Sequence, residues 1–274
     1  MLEQQAQVGL ERVRLPGVYQ DHHQRKGVGI DGGMIHLRDH GWKEFKVGAV
    51  FDIETRLERD SHSREWVDQP HGVRVEYSAV LGSPEDLSPA LWRLAVQRQI
   101  PIAAKSSVTA DGAEWIWNLV ADLFPDSTQI VDWYHACQHL ALAATALYPD
   151  NPDKAQLWLK QRKDDLFLGH VHSITRPLDA ANLSEHSHYF HTHKRRMQYQ
   201  EFRESGFPIG SGTTESGIKQ FKSRLTGSGM RWSRSHAEQM LVIRAAVLGN
   251  SFDTLWANTH SATNLKCTPM NAKY

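Results

Sequence analysis

Asp31 stands in Gly29-Ile30-Asp31-Gly32-Gly33, inside a strand-like alternation, and Asp111 stands in Thr109-Ala110-Asp111-Gly112-Ala113, where a strand pattern gives way to a helical one. Singly, an Asp-Gly pair more often marks a turn than a ligand. Glu215 falls in the first turn of a helix on which Glu215, Lys219 and Lys222 lie at i, i+4 and i+7, hence on one face. Alone, that acid and those lysines read as surface ion pairing. Together, the three carboxylates supply the hard oxygen ligands that two Mg²⁺ (or Mn²⁺) ions need for phosphodiester chemistry, which requires no side-chain nucleophile. Asp132 also ends a strand and competes for the second place. Asp111 is preferred because it follows the strand expected to lie beside the first.

Two other constellations have weaker claims. Asp132-Trp-Tyr-His135-Ala-Cys137-Gln-His139 sets two histidines at i, i+4 with a thiol between them. It lacks the internal glutamate of a metalloprotease helix, and Cys137 points off the histidine face, so Asp132, His135 and His139 are assigned a supporting role around the metal ligands rather than a zinc site. His170-Val171-His172, with Tyr189 and Tyr199 downstream, matches the pattern of nucleases that use a tyrosine nucleophile. Chance pairing in a chain with 16 histidines explains it better.

The elements that must position the acids can be read from periodicity. Residues 27–37, 43–53 and 73–81 read as three strands with short polar turns, which implies an antiparallel meander. Ser83-Pro84-Glu85-Asp86 opens a helix carrying Leu87, Leu91, Leu94 and Ala95. Residues 106–110 and 129–132 read as further strands, each followed by a helix. That order predicts an α/β fold, a ribonuclease H-like mixed sheet with flanking helices and an α-helical insertion. The expected segments are an N-terminal remnant over 1–26, the first part of the core over 27–148, an insertion over 149–207 with few aliphatic residues to bury, the glutamate-bearing end of the core over 208–250, and a C-terminal tail over 251–274.

With 274 residues, 40% of them hydrophobic, the chain can bury a substantial core. No apolar run is long enough to span a bilayer, and the start is too charged for a secretory signal, so a cytoplasmic protein is expected. Two cysteines, Cys137 and Cys267, suit a reducing compartment. The formal net charge is zero, yet residues 194–244 hold ten lysines and arginines against four glutamates, which gives +6 there and leaves −6 for the rest. Arg195, Arg196, Lys219, Lys222, Arg224 and Arg231, with Trp232 as a stacking surface, are therefore candidates for binding DNA.

At these residues the sequence resembles the ISKra-type insertion-sequence transposases of bacteria, a branch of the DDE transposases. The matching motifs are Gly29-Ile30-Asp31-Gly32-Gly33-Met34, residues 42–50, Asp111-Gly-Ala-Glu-Trp-Ile-Trp117, Asp132-Trp-Tyr-His135, Arg196-Met197-Gln-Tyr199, Pro208-Ile-Gly-Ser-Gly-Thr-Thr-Glu-Ser216 and Gly229-Met-Arg-Trp-Ser233. The resemblance implies that Asp31, Asp111 and Glu215 form the catalytic triad, that the partners are transposon ends and target DNA, and that the protein acts as a homodimer or higher oligomer on DNA, away from membranes. Such transposases carry a long N-terminal region, where this chain has about 26 residues before the first strand. The alternative expectation is thus a truncated, catalytically inactive DNA-binding remnant.

Overall fold

The computed structural model describes residues 24–59 and 65–265. Most of the segment expected over 1–26, and the end of the tail with Cys267, lie outside the described residues. The chain forms an α/β structure around a five-stranded mixed sheet of order β3-β2-β1-β4-β5. Strands β1 (Arg25–Leu37), β2 (Gly41–Arg59) and β3 (Trp66–Val80) run antiparallel, and β4 (Lys105–Ala110) and β5 (Thr128–Val131) run parallel to β1. The β2–β3 pair continues beyond the two strands read from sequence over 43–53 and 73–81. Residues 54–59 are exposed and, apart from Leu57, polar, so they have no apolar alternation by which to recognise them.

Helices α1 (Pro84–Gln97), α2 (Glu114–Leu123) and α3 (Trp133–Leu147) interleave with the later strands. Pro84 occupies the first turn of α1, and the Ser83 N–H donates to the Asp86 carboxylate at 2.8 Å, closing the helix start. Residues 149–207 are helical, in α4 (Pro152–Phe167), α5 (His172–Ala180), α6 (Ser184–His193) and α7 (Tyr199–Glu204). Then follow α8 (Gly212–Leu225), α9 (Arg234–Leu248) and α10 (Phe252–Leu265), so the stretch expected to be a tail begins as a helix.

Alternation along β1 divides the core between the two faces of the sheet. Val28 and Ile30 join one cluster with Leu87 and Leu91 of α1, Ile116 and Val120 of α2, and Leu140 of α3. Ile35 and Leu37 face the other way and pack with Ile218, Phe221 and Leu225 of α8 and Leu241 of α9. The helical insertion does not stand apart: Trp158, Leu166, Ile174, Leu178, Phe190, Tyr199 and Phe202 complete the first cluster. The insertion was expected to have little to bury, but aromatic side chains do what the scarce aliphatic ones cannot.

Candidate active site

Parallel register brings the acids together. Ile30 pairs with Ala110, and Ala110 pairs with Val131, so Asp31, Asp111 and Asp132 each come one residue after the end of the parallel β1–β4–β5 ladder, at one level of the sheet. Asp132 is no longer part of the strand, as the sequence suggested, but the N-cap of α3. Its N–H donates to the Ala110 carbonyl at 2.8 Å, and its side chain accepts from the His135 N–H at 2.7 Å. Helix α8 closes the site from the face on which Asp31 lies. Gly29 is two residues before Asp31 and therefore shares that face, and a Cβ at Gly29 would collide with the Thr214 hydroxyl. That close approach seats Glu215, next to Thr214, above the strand ends.

The hydrogen bonds distinguish the four carboxylates. Asp31 Oδ1 accepts from the Gly32 N–H at 2.6 Å, and Asp111 Oδ1 from the Ala113 N–H at 2.9 Å; in each the second oxygen has no partner among the described residues. Asp132 is fully buried and uses both oxygens. Oδ1 takes the His135 N–H and lies 2.9 Å from its Nδ1, while Oδ2 accepts from the Ser211 N–H at 2.5 Å. Asp132 thus ties the start of α3 to the turn that launches α8. Glu215 accepts from Ser211 Oγ at 3.2 Å and from Lys219, an exposed side chain, at 3.4 Å. Ligand atoms of Asp132, His135 and Glu215 lie within 4.8 Å of one another, whereas Asp31 and Asp111 belong to no such close trio among the described residues.

The electrostatics follow the same division. Burial raises the Asp31 carboxyl above its ordinary value, against the Gly32 hydrogen bond, and the Asp111 charge pushes in the same direction as burial. Burial also acts to raise Asp132, but the hydrogen bonds from His135 and Ser211 outweigh it and hold the group below its usual range. The bond to Asp132 raises the His135 imidazole, and the charges of Asp111 and Glu215 add to that effect. With Nδ1 held by Asp132, Nε2 is the ring's remaining nitrogen.

The insertion forms the wall behind Asp111. Tyr189 and His193 of α6 pack against Gly112, and the Tyr189 ring stacks on His139 with centroids 3.6 Å apart. His139 is thus a packing partner, and burial lowers its pKa. Burial raises the Cys137 thiol to about 11, and among the described residues the close ligand trio that includes His135 contains neither Cys137 nor His139, which weighs against a zinc site of those three. The Tyr189 and Tyr199 hydroxyls are buried without partners among the described residues, and burial raises both, so neither is presented as a nucleophile. His170 and His172 line a separate cleft with Lys194 and Arg195.

The basic candidates are scattered. Lys219, Lys222, Arg224 and Arg231 are exposed, as is Arg195, and Trp232 is half-buried. Arg196 instead turns inward, donating to Gln129 at 2.8 Å and lying 4.4 Å from the Trp117 ring centre. The sequence reading missed Ser211, whose backbone contribution has no signature in side-chain type. Compared with known proteins, the chain matches no family model and no curated protein. Among the described residues, no helix is long and apolar enough to cross a membrane.

Proposed function

We propose that the protein is the catalytic part of a DDE-type insertion-sequence transposase, cutting and joining DNA strands with two Mg²⁺ or Mn²⁺ ions held by Asp31, Asp111 and Glu215. The observation that carries this reading is the common level of Asp31 and Asp111, each one residue past the last pair of the parallel β1–β4 ladder, beneath the helix that bears Glu215. The sheet order and the helices before α8 support a ribonuclease H-like core with an insertion. The donor set fits the ions: the carboxylates are hard ligands, and Asp31 and Asp111 each keep an oxygen open. Bound there, the cations would supply Lewis acidity to the attacking water or 3′-hydroxyl and to the leaving oxygen. Asp132 fixes the ring of His135 and the start of α8, and Lys219 and Lys222 hold substrate phosphates. The partners are transposon ends and target DNA, met by a homodimer or larger assembly at the nucleoid.

A second reading rests on the trio Asp132, His135 and Glu215. A mixed imidazole and carboxylate set suits Mn²⁺ or Zn²⁺ better than Mg²⁺, and it would move the second ligand from Asp111 to Asp132. Nicking of a supercoiled plasmid bearing the element's terminal inverted repeats separates the readings. Nicking that needs Mg²⁺ or Mn²⁺ and is abolished by Asp31→Asn, Asp111→Asn and Glu215→Gln is the expected result. Retention in Asp111→Asn with loss in His135→Ala favours the trio. DNA binding without nicking under any cation identifies a silent remnant.

A further inference from the structure

Beyond Ile30, strand β1 leaves β4 behind and continues for another seven residues. Its free edge is next met at Leu37, where Trp232 forms a parallel bridge, the Trp232 N–H donating to the His36 carbonyl at 3.0 Å and the Arg38 N–H to the Trp232 carbonyl at 2.9 Å. Between Asp31 and Leu37 lies an edge about 20 Å long, at the strand rise of roughly 3.3 Å per residue, that pairs with no other strand than β2 among the described residues. One end of this notch is the acid cluster. At the other end a cleft of about 470 Å³ opens between α8, α9 and the loop that joins them.

The lining of that cleft has a definite chemistry. Arg38, Arg224 and Arg231 contribute positive charge, Trp232, Met230 and Met240 contribute soft apolar surface, and no acidic residue lines it among the described residues. None of the three arginines has a carboxylate within ion-pairing distance among the described residues, although Arg38 Nε donates to the Arg231 carbonyl at 3.3 Å. The Trp232 indole is pinned by its Nε1–H, which donates to the Leu225 carbonyl at 2.9 Å. Aromatic and thioether surface beside unpaired guanidinium groups is complementary to a base attached to a phosphate, and poorly suited to a purely apolar or a cationic ligand.

We propose that this cleft takes an unpaired nucleotide of the DNA strand whose phosphates run along the β1 notch from the acid cluster, with the phosphate on the arginines and the base against Trp232 and Met230. This rests on the reading of the protein as a DNA-processing enzyme and adds to it a subsite for unpaired nucleotides. The pinned indole loses no side-chain freedom when a base stacks on it, and the arginines hold the phosphate without reading sequence.

The test is equilibrium binding of a labelled 12-nucleotide single strand, and of the same strand with every base removed, over a salt series in EDTA, so that cleavage plays no part. The Arg224→Gln/Arg231→Gln double variant should flatten the slope of log affinity against log salt by about 1.4, at about 0.7 per single-strand phosphate contact. Trp232→Ala should weaken the base-bearing strand about 5- to 100-fold at unchanged slope and leave the abasic strand within a factor of about two. Because the Trp232 indole also ties its loop to the Leu225 carbonyl at the end of α8, Met230→Ala repeats the comparison without touching that bond and should show the same preference more weakly. An unchanged slope in the arginine variant, or equal losses on both strands in Trp232→Ala and Met230→Ala, overturns the cleft assignment while wild-type DNA binding keeps the broader reading. Absence of wild-type binding to single-stranded and duplex DNA alike overturns both.

Discussion

Two groups of charged side chains meet the central strand, and they are built on opposite plans. Near the start of β1, Lys26 is buried and faces its cross-strand partner Asp52 at 2.7 Å. Arg74 and Arg98 reach the other Asp52 oxygen at 2.7 and 2.9 Å and extend to Glu54 and Glu76. Three cations thus answer three carboxylates, and although burial acts to raise Asp52, its partners hold it below its ordinary value. Five residues further along, on the opposite face, Asp31 joins Asp111, Asp132 and Glu215, where the nearest lysines are exposed and burial raises Asp31. A carboxylate neutralised within the fold holds the sheet together, whereas one left with an open oxygen among like charges is, on the proposed reading, the one that takes a cation from solution.

The largest expected effect breaks the first plan. Asp52→Asn leaves Lys26 buried without its charge partner and should cost about 3–5 kcal/mol in denaturant unfolding, while Asp31→Asn, which relieves like-charge repulsion, should leave stability unchanged or higher. The pH dependence sharpens the contrast. Asp52 has a depressed folded value, so its contribution is present above its unfolded value near 3.8 and is lost as pH falls through the folded one. The Asp52→Asn protein should lack that acid-side loss. If Asp31→Asn destabilises as much as Asp52→Asn, the two groups are not different in kind.

Next in size is the response to cations. Mg²⁺ or Mn²⁺ at a hundred times its dissociation constant should stabilise the wild-type protein by about 2.7 kcal/mol, a rise in melting temperature on the order of 5 °C for a chain of this size. Asp31→Asn and Asp111→Asn should lose that rise, and Asp52→Asn should keep it from its lower baseline. A cation response untouched by the first two variants would place the ions elsewhere.

How far the sequence foretold these two groups depends on the kind of signal each leaves. Asp31 and Asp111 were readable because one lies inside an apolar strand alternation and the other where a strand pattern gives way to a helical one, and strand order then places the two side by side. The α1 start was equally clear, because its cap, proline and acids are contiguous. The Asp132–Ser211 bond joins residues 79 positions apart through a backbone N–H, and no residue pattern announces it. Lys26, Asp52, Arg74 and Arg98 look like ordinary polar strand and helix-end positions until register sets Lys26 opposite Asp52. Arg196 counted toward a basic surface, yet a neighbouring indole and a glutamine draw it inward.

A smaller effect tests the wall behind Asp111. Burial lowers His193 to about 4, with the Arg196 charge acting in the same direction. Since its unfolded value is near 6.5, the stability that goes with its neutral form is full above that pH and lost progressively toward pH 4. The difference in unfolding free energy between wild type and His193→Gln should therefore shrink over that window. A pH-independent difference would mean that the ring is solvated and that α6 does not brace the Gly112 turn.

The smallest expected effect asks whether the under-compensated group faces nucleic acid. Lys222 is exposed on α8, and its positive charge acts on Asp31 against the effect of burial, so it is near enough to matter to that carboxylate without neutralising it. Lys26 is the opposite case, a lysine buried against its acid. An exposed lysine beside an acid cluster is well placed to hold a phosphate adjoining the one that reacts. Lys222→Ala should make the slope of log affinity against log salt on duplex DNA shallower by about 0.9, the value for one phosphate contact, with the same loss across unrelated sequences because such a contact carries no base information. Stability should change by less than about 0.5 kcal/mol, as for other surface substitutions. If the slope is unchanged, Lys222 is only a solvated helix residue, and the face of α8 that carries Glu215 is not the face along which DNA lies.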